Sequence, residues 1–191
     1  MRIAAKSSRE DARIGKTREA LQTALISLIG TEPFETLTVT AITQRANIGY
    51  ATFFRHYPDT QALLAEIADG LMDEVIVAIA PRVLAQDSRG MAQVLTEFVA
   101  TRRPLCHALL IGAGDAMRRE ITARALAAAR MTETAMPAGL PRDLALIHGV
   151  GATLTILAWW LGQEEVEPGA EPDMVAILER LVFEPLSQTV R

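Results

Sequence analysis

Residues 38–64 read TVTAITQRANIGYATFFRHYPDTQALL, and this stretch decides the fold of the N-terminal part of the chain. Apolar residues recur at Val39, Ile42 and Ala46, which is the spacing of one face of a helix. Thr38 directly precedes this pattern and predicts an N-cap, because its hydroxyl oxygen can accept a hydrogen bond from a backbone N–H of the first turn. A short helix is therefore predicted to begin after Thr38.

A sharp turn and a second short helix are predicted next. Asn47 and Gly49 tolerate the left-handed backbone that a tight turn needs, and Ile48 between them can pack inward to fix the corner. The second helix is predicted over residues 50–57, with Phe53 and Tyr57 facing inward. The pattern of two short helices joined by a tight turn is that of a helix-turn-helix.

A proline separates this unit from the next helix. Pro58 disfavours helical geometry for the residue before it, and Asp59 can cap the helix that follows. That helix is predicted from Thr60 to Ala80, with an apolar face and with Pro81 after its last turn. Its length predicts a rigid connection between the N-terminal unit and the rest of the chain.

These residues resemble the DNA-binding segment of the TetR-like (tetracycline-repressor-like) transcription regulators. The matching positions are Thr38, Val39, Ile42, Ala46, Ile48, Thr52, Phe54, His56, Tyr57 and Leu63. Gly49, Phe54 and Thr60 stand where the family usually has Ser, Tyr and Lys. Each of these departures removes a polar group that in the family tends to cap the recognition helix or contact a phosphate. An alternative thus stays open, in which the chain is a helical adaptor or ligand-binding protein that has lost specific DNA binding.

The resemblance implies an all-α fold of about nine helices in two parts. A mobile N-terminal arm is expected over residues 1–12, and a three-helix DNA-binding domain over residues 13–59. Residues 60–191 are expected to form a larger helical domain for effector binding and dimerisation. The basic residues of the arm, Arg2, Lys6 and Arg9, can reach a DNA backbone or minor groove, although a solvated, disordered tail is the favoured explanation.

A recognition helix places its N-terminal side chains against base edges in the major groove, while short polar groups contact phosphates. Residues 50–52 occupy that end of the second helix, and Arg55 lies one turn further on as a candidate for a guanine or a phosphate. For Phe54 and His56, packing within the small domain is an equally good explanation. The DNA-binding candidates are Thr38, Thr40, Tyr50, Ala51, Thr52, Phe54, Arg55 and His56.

The C-terminal part is predicted to contain a ligand pocket and a dimer interface. The family resemblance implies the pocket, and a largely apolar lining predicts an apolar small-molecule effector; plain core packing is the alternative for each residue. Its candidates are Phe98, Cys106, His107, Met117, Met131, His148 and Trp159. The helix over residues 141–161 is apolar nearly all round, which favours a second subunit as its partner; completion of the monomer core is the alternative. The interface candidates on the last two helices are Leu144, Ile147, Gly151, Leu154, Ile177, Leu178 and Leu181.

Composition narrows the class of protein. A single cysteine among 191 residues excludes an internal disulfide, and the sequence lacks both a secretory leader pattern and a run of 18 apolar residues, so a cytoplasmic protein is expected. An enzyme is not expected, because Cys106 and His107 are adjacent and point about 100° apart on a helix, and no metal or phosphate motif occurs. A ligand-dependent enzyme using Cys106 or His107 stays as a remote alternative. No cofactor is predicted. The expected function is a ligand-responsive repressor that binds a pseudo-palindromic operator as a dimer.

Overall fold

The computed structural model describes residues 2–130, 141–163 and 172–187, and within these ranges the chain is helical and contains no strand. This confirms the predicted all-α class. The helices are α1 (Arg2–Ile29), α2 (Val39–Ala46), α3 (Tyr50–Phe53), α4 (Thr60–Leu84), α5 (Ser88–Thr101), α6 (Arg103–His107), α7 (Gly114–Arg130), α8 (Arg142–Leu161), α9 (Met174–Leu178) and α10 (Glu184–Ser187). A 3-10 turn spans Phe34–Thr36, and π-helical turns span Ala108–Gly112 and Glu179–Phe183.

Local hydrogen bonds fix the helix-turn-helix much as the sequence predicts. The Thr38 hydroxyl accepts from the backbone N–H of Ala41 at 3.2 Å and caps α2. Asp59 caps α4 by accepting from the N–H of Ala62 at 2.8 Å. Asn47 takes the left-handed conformation of the turn with φ 54°, whereas Gly49 stays extended with φ −64°. The turn therefore needs only one left-handed residue, and an asparagine supplies it.

Three helix ends differ from the sequence prediction. α1 begins at Arg2 rather than at Arg13, because residues 2–12 contain neither proline nor glycine to stop a helix. α4 continues through Pro81 to Leu84, although a proline within a helix removes one internal hydrogen bond. α3 ends at Phe53, four residues earlier than expected.

The core of the N-terminal unit continues without a break into the rest of the molecule. Phe53, Leu21 and Ile42 are completely buried where α1, α2 and α3 meet. Leu63 and Leu64 of α4 belong to the same cluster, which extends to buried residues of the π turn and of α7. α4 is thus packed against both halves of the chain, which agrees with the rigid connection predicted from its length.

A close backbone approach joins α1 to the π turn of residues 108–112. A Cβ atom added at Gly112 would clash with the carbonyl oxygen of Ile29, the last residue of α1. Only a residue without a side chain permits the two segments to approach so closely. The end of α1 therefore rests directly on a segment of the C-terminal half.

α8 is the one helix within the described ranges that is long and apolar enough to cross a membrane, by length and composition only. One side of it packs inside the molecule through Ala145, Leu154 and Leu157. Leu144, Ile147 and Trp159 lie exposed on its other side, so the helix is apolar all round, as the sequence predicts.

Candidate nucleic-acid interface and internal cavity

The short helix α3 presents a group of exposed side chains next to a buried anchor. Phe53 is fully buried, whereas Tyr50, at the start of the same helix, is 56% exposed. Ala51 and Arg55 are exposed as well, and Thr52 is half-buried. Three of the four predicted base-contacting residues, Tyr50, Ala51 and Arg55, are thus exposed, and the buried Phe53 anchors the helix that carries the first two.

Aromatic contacts order this surface. The rings of Tyr50 and Phe54 are 5.1 Å apart in an edge-on arrangement, and Phe54 lies 5.4 Å from the buried Phe53 ring. Phe54 is 47% exposed, so it connects the anchor to the surface rather than filling the core. His56 is half-buried and lies 6.3 Å from the Tyr57 ring.

The N-terminal ends of α2 and α3 differ in how they are capped. Thr38 and Thr40 are both exposed at the start of α2, and the Thr38 hydroxyl is engaged as the cap. Gly49 precedes α3 and offers no side chain for capping; its carbonyl oxygen accepts from the N–H of Thr52 at 2.8 Å. The departure from the usual serine at this position therefore leaves α3 without a side-chain cap.

Tyr57 links α1, the segment after α3, and α4. Burial raises the pKa of the Tyr57 hydroxyl to about 12, and the Glu66 carboxylate of α4 adds to the increase. The Arg18 guanidinium of α1 lies 5.9 Å from the centre of the Tyr57 ring and forms an ion pair with Glu66 at 3.8 Å. A predicted core residue is thus surrounded by charges from two helices.

An internal cavity of about 400 Å³ occupies the C-terminal half. α4, α5, α8 and the C-terminal helical segment all contribute to its apolar wall. The lining residues are Leu71, Met72, Val75, Ile79, Val83, Gln86, Met91, Leu95, Phe98, Val99, Cys106, Leu110, Ile121, Ala145, Leu146, Gly149, Val150, Thr153, Leu154, Leu157, Val182, Phe183 and Leu186. Its size falls within the range of about 300–1,000 Å³ that is usual for small-molecule sites.

Two of the predicted ligand-binding residues, Phe98 and Cys106, line this cavity. Met117 is fully buried in the core that α7 shares with the N-terminal unit, outside the cavity wall. His107, His148 and Trp159 are exposed, because their helices turn these positions outward. Met131 lies outside the described residues.

The sequence prediction missed the contribution of α4 to the cavity. Leu71, Val75 and Ile79 form its apolar face beyond the small N-terminal core. The signal was the length of this helix, 25 residues, since a three-helix unit needs only its first turns. Apolar residues further along α4 therefore required another partner.

Few polar groups face the cavity. The Thr153 hydroxyl donates to the carbonyl oxygen of Gly149 at 2.8 Å, so its hydrogen is engaged. Burial raises the pKa of the Cys106 thiol, which keeps it neutral near pH 7. Gln86 lies between α4 and α5 with the left-handed φ of 53°, and it is exposed. The cavity is therefore apolar with a single carboxamide at its edge.

The predicted interface residues fall into two groups. Leu144, Ile147 and Leu181 are exposed, the first and last by 57% and 61%. Leu154 and Leu178 are instead buried within the protomer, because they face the cavity and the core. Gly151 and Ile177 are half-buried, and a Cβ atom added at Gly151 would meet no atom within 4 Å.

Comparison with known proteins confirms the resemblance stated from the sequence. Residues 22–67 match the family of bacterial regulatory proteins named the tetR family. A curated relative, the uncharacterized HTH-type transcriptional regulator YxbF of Bacillus subtilis (strain 168), is 27% identical over 109 residues. That match covers 54% of this chain and only 29% of the relative.

Solved structures resemble more than nine-tenths of the chain. A TetR transcriptional regulator from Streptococcus agalactiae 2603V superposes with a TM-score of 0.61 at 20% identity, over 92% of this chain and 98% of that one. FadR of Thermus thermophilus, a TetR-family transcriptional repressor in complex with lauroyl-CoA, superposes with a TM-score of 0.50 at 21% identity, over 91% and 96%. At 20% and 21% sequence identity, these similarities are evidence for the fold alone.

Proposed function

We propose that this chain, a TetR-like transcription regulator by its helix-turn-helix and fold, is a cytoplasmic ligand-responsive repressor that binds a pseudo-palindromic operator as a homodimer. The observation that carries the proposal is the exposed surface of α3 on a fixed scaffold. Tyr50, Ala51 and Arg55 face outward while Phe53 anchors the helix in the core. Exposed side chains on a rigidly held short helix fit the major groove of a duplex.

Each exposed residue has a role that follows from its chemistry. The methyl groups of Ala51 and Thr52 fit thymine methyls, and Tyr50 can stack or donate a hydrogen bond. Arg55 suits a guanine or a phosphate, and Thr40 at the start of α2 suits a phosphate. Phe54 holds Tyr50 in place through their edge-on contact.

The proposal is tested by selecting the duplexes that the protein binds from a pool of random DNA sequences. The most enriched duplex is then titrated with the protein at several salt concentrations. A palindromic consensus with a steep salt dependence is the expected result, because several phosphates are neutralised. Tyr50→Ala and Arg55→Ala are expected to lose operator affinity and to keep the oligomeric state. Arg118→Ala is the control, because Arg118 is a half-exposed arginine of α7. Absence of any enriched sequence would contradict the proposal.

Dimerisation is proposed through the exposed apolar surface of α8 and the C-terminal helical segment. Leu144, Ile147 and Leu181 present large apolar groups to solvent on two consecutive described segments. Gly151 lies between them with open space above it, so a second helix can approach closely. A dimer would place two copies of α3 on one duplex, which a pseudo-palindromic site requires.

The effector is proposed to be an apolar small molecule that occupies the 400 Å³ cavity. An acyl chain is the first class to test, since the similar FadR structure holds lauroyl-CoA. Ligand binding to the folded state raises the free energy of unfolding by about 2.7 kcal/mol at a concentration of 100 Kd. Lauroyl-CoA and free medium-chain fatty acids are therefore the probes for a shift in the thermal unfolding midpoint.

A variant with a filled cavity sharpens this experiment. Thr153→Phe adds an aromatic ring at the cavity wall, and it is expected to abolish the shift while leaving operator binding intact. Ala100→Phe is the matched control, because Ala100 is exposed on α5. If the ligand shifts the thermal unfolding midpoint of Thr153→Phe as much as that of the unaltered chain, the ligand binds outside this cavity.

Signal transfer from the cavity to α3 is proposed to follow two contacts. α4 lines the cavity with Leu71 and Val75 and contributes Leu63 to the core beneath α3. Leu110 of the π turn also lines the cavity, and Gly112 two residues later meets the end of α1. A ligand that displaces either segment changes the position of the DNA-binding unit.

One observation supports the adaptor alternative. α3 has no side-chain cap at Gly49, so its N-terminal end is less stable than it would be with a serine at that position. An adaptor would form the same dimer, and its partner binding would be unaffected by Tyr50→Ala and Arg55→Ala. The duplex selection and these two variants therefore separate the functions.

A further inference from the structure

Thr153 places a hydroxyl group on an otherwise apolar face of α8. The positions of α8 that line the cavity recur at the spacing of one helix face, and they include Leu146, Gly149, Val150 and Leu157. Thr153 follows Val150 by three residues and precedes Leu157 by four, so it lies in the middle of this face. Within the described wall of the cavity it is the one residue that carries a hydroxyl. α8 therefore brings one defined polar position to the cavity.

The hydrogen of this hydroxyl is already engaged within the helix. Thr153 Oγ1 donates to the carbonyl oxygen of Gly149, one turn earlier, at 2.8 Å. A hydroxyl has one hydrogen to donate and two lone pairs that accept. The Thr153 oxygen can therefore accept a hydrogen bond from a ligand while its own hydrogen stays with Gly149. A polar group of a ligand that meets Thr153 must be a donor.

The other two polar residues of the described wall contribute less to ligand recognition. Burial raises the pKa of the Cys106 thiol, so this group stays a neutral thiol and a weak donor. Gln86 is exposed at the edge of the cavity, where water competes for its carboxamide. Thr153, which is half-buried, is the remaining candidate for a specific hydrogen bond with a ligand.

Positive charge lies on the outer side of the cavity wall. Phe98 lines both the cavity and a groove on the outer surface between α4 and α5. The Arg102 guanidinium lies 4.1 Å from the centre of the Phe98 ring, lines the groove and pairs with Glu74 at 3.0 Å. An ionised carboxylate inside the cavity would lose its hydration and face hydrocarbon and the Thr153 oxygen, which is itself an acceptor. The described wall thus favours an uncharged ligand.

We propose that the effector is an uncharged alcohol or phenol with an apolar body, and that its hydroxyl donates a hydrogen bond to the Thr153 oxygen. This inference rests on the proposed function, which places an effector in the cavity, and it adds the chemical class of that effector. The apolar body packs against the hydrocarbon wall, while the hydroxyl meets the acceptor that the bond to Gly149 leaves available. Thr153 then distinguishes a hydroxyl compound from an ether or a carboxylate of similar size.

Two series of small molecules test the chemical class. Decanol, decyl methyl ether and decanoate share an alkyl chain, and propylphenol, propylanisole and propylbenzoate share an aromatic body. Each compound is titrated at neutral pH into the full-length protein, without DNA, by isothermal titration calorimetry. In at least one series the hydroxyl compound is expected to bind about fivefold more tightly than its ether, the effect of one hydrogen bond to an uncharged group. The carboxylate is expected to bind more than about a hundredfold more weakly than the hydroxyl compound, because it leaves its hydration shell.

Variants of α8 assign the preference to one oxygen atom. Thr153→Val keeps the shape of the side chain and is expected to abolish the preference for the hydroxyl compound over its ether, whereas Thr153→Ser is expected to keep it. Thr155→Val is the matched control, because Thr155 is exposed and donates the same kind of hydrogen bond, to the carbonyl oxygen of Gly151 at 2.8 Å. The readout is the ratio of the two affinities, since the loss of a hydrogen bond within the helix changes stability but not this ratio.

Several results would contradict the proposal. An ether or a carboxylate that binds as tightly as its hydroxyl partner would show that the cavity does not select a donor. If Thr153→Val keeps the preference, the hydroxyl group of the ligand lies elsewhere, and if Gln86→Met loses it, that group lies at the edge of the cavity. If neither decanol nor propylphenol binds, the effector belongs to another chemical class.

Failure of the proposed function gives a different pattern of results. Because the titrations contain no DNA, a chain that binds no operator can still show the preference, and this result would leave the assignment of the cavity intact. Conversely, release of the operator by lauroyl-CoA or a fatty acid, without binding of the hydroxyl compounds, would support a ligand-responsive repressor and overturn the class of alcohols and phenols.

Discussion

The hydroxyl of Thr38 stabilises the start of α2, on which the position of α3 depends. It accepts one of the backbone N–H groups that the first turn leaves unpaired. Thr38→Ala is therefore expected to lower the free energy of unfolding by about 1 kcal/mol, measured by urea denaturation. Thr38→Ser should restore most of it. Thr40→Ala is the control, because Thr40 is exposed and lies inside the helix; an equal loss there would argue against capping as the cause.

Tyr57 gives the stability a dependence on alkaline pH. Its pKa is raised to about 12 by burial and, next, by Glu66, whereas in the unfolded chain a tyrosine titrates near about 10. Below pH 10 the Tyr57 hydroxyl keeps its proton in both the folded and the unfolded state, so its full contribution to the free energy of unfolding is present. Between about pH 10 and 12 the unfolded state releases it more readily, so stability falls as the pH rises.

Tyr57→Phe is expected to lose less stability between pH 9 and 11.5 than the unaltered chain loses, as measured by urea midpoints at each pH. The ring contact with Phe53 is retained in this variant, so the difference isolates the hydroxyl. Tyr50→Phe removes an exposed hydroxyl and serves as the comparison. Equal losses in Tyr57→Phe and the unaltered chain would show that the hydroxyl titrates normally.

At the scale of the element, the end of α1 contacts the π turn at residues 108–112, and this contact joins the N-terminal unit directly to the C-terminal half. Gly112→Ala would drive a Cβ atom against the Ile29 carbonyl, where backbone rather than a flexible side chain must move. A loss of about 1–3 kcal/mol in the free energy of unfolding is expected, as for other overpacked sites. Gly70→Ala on α4 adds the same methyl group in open space and should stabilise by about 0.5–1 kcal/mol. A neutral Gly112→Ala would show that the two segments separate readily.

How much of each element the sequence predicts depends on how local its signals are. The cap at Thr38, the turn at Asn47 and the cap at Asp59 depend on neighbouring residues, and the structure has all three. The start of α1 and the end of α4 depend on what the helix packs against, and both were misplaced. The glycine at position 112 has no local explanation, because it is the close approach of Ile29 that requires it.

At the scale of the whole molecule, the cavity shows what patterns along the chain leave undetermined. Periodicity identifies apolar faces, and both Met117 and Phe98 lie on such faces. Whether a face fills a core or borders a void depends on how several helices fit together: Met117 is packed in the core, and Phe98 lines the cavity. Pocket residues on α4 and α8 were therefore missed. The exposure of Tyr50, Ala51 and Arg55 follows from one short motif, whereas their contact with DNA stays a prediction.

The oligomeric state is the property of the whole molecule on which the proposed operator recognition depends. Leu181 is 61% exposed in the protomer, so Leu181→Glu places no charge in the protomer's own core. In a dimer through this surface the same carboxylate would be buried without a partner, which costs several kcal/mol. Light scattering is therefore expected to find that this variant is a monomer, and its circular dichroism spectrum should be unchanged. Operator affinity should fall, because each α3 then binds its half-site alone. Val77→Glu, on an exposed position of α4, is the control and should stay dimeric. A dimeric Leu181→Glu with normal operator binding would move the interface to another surface.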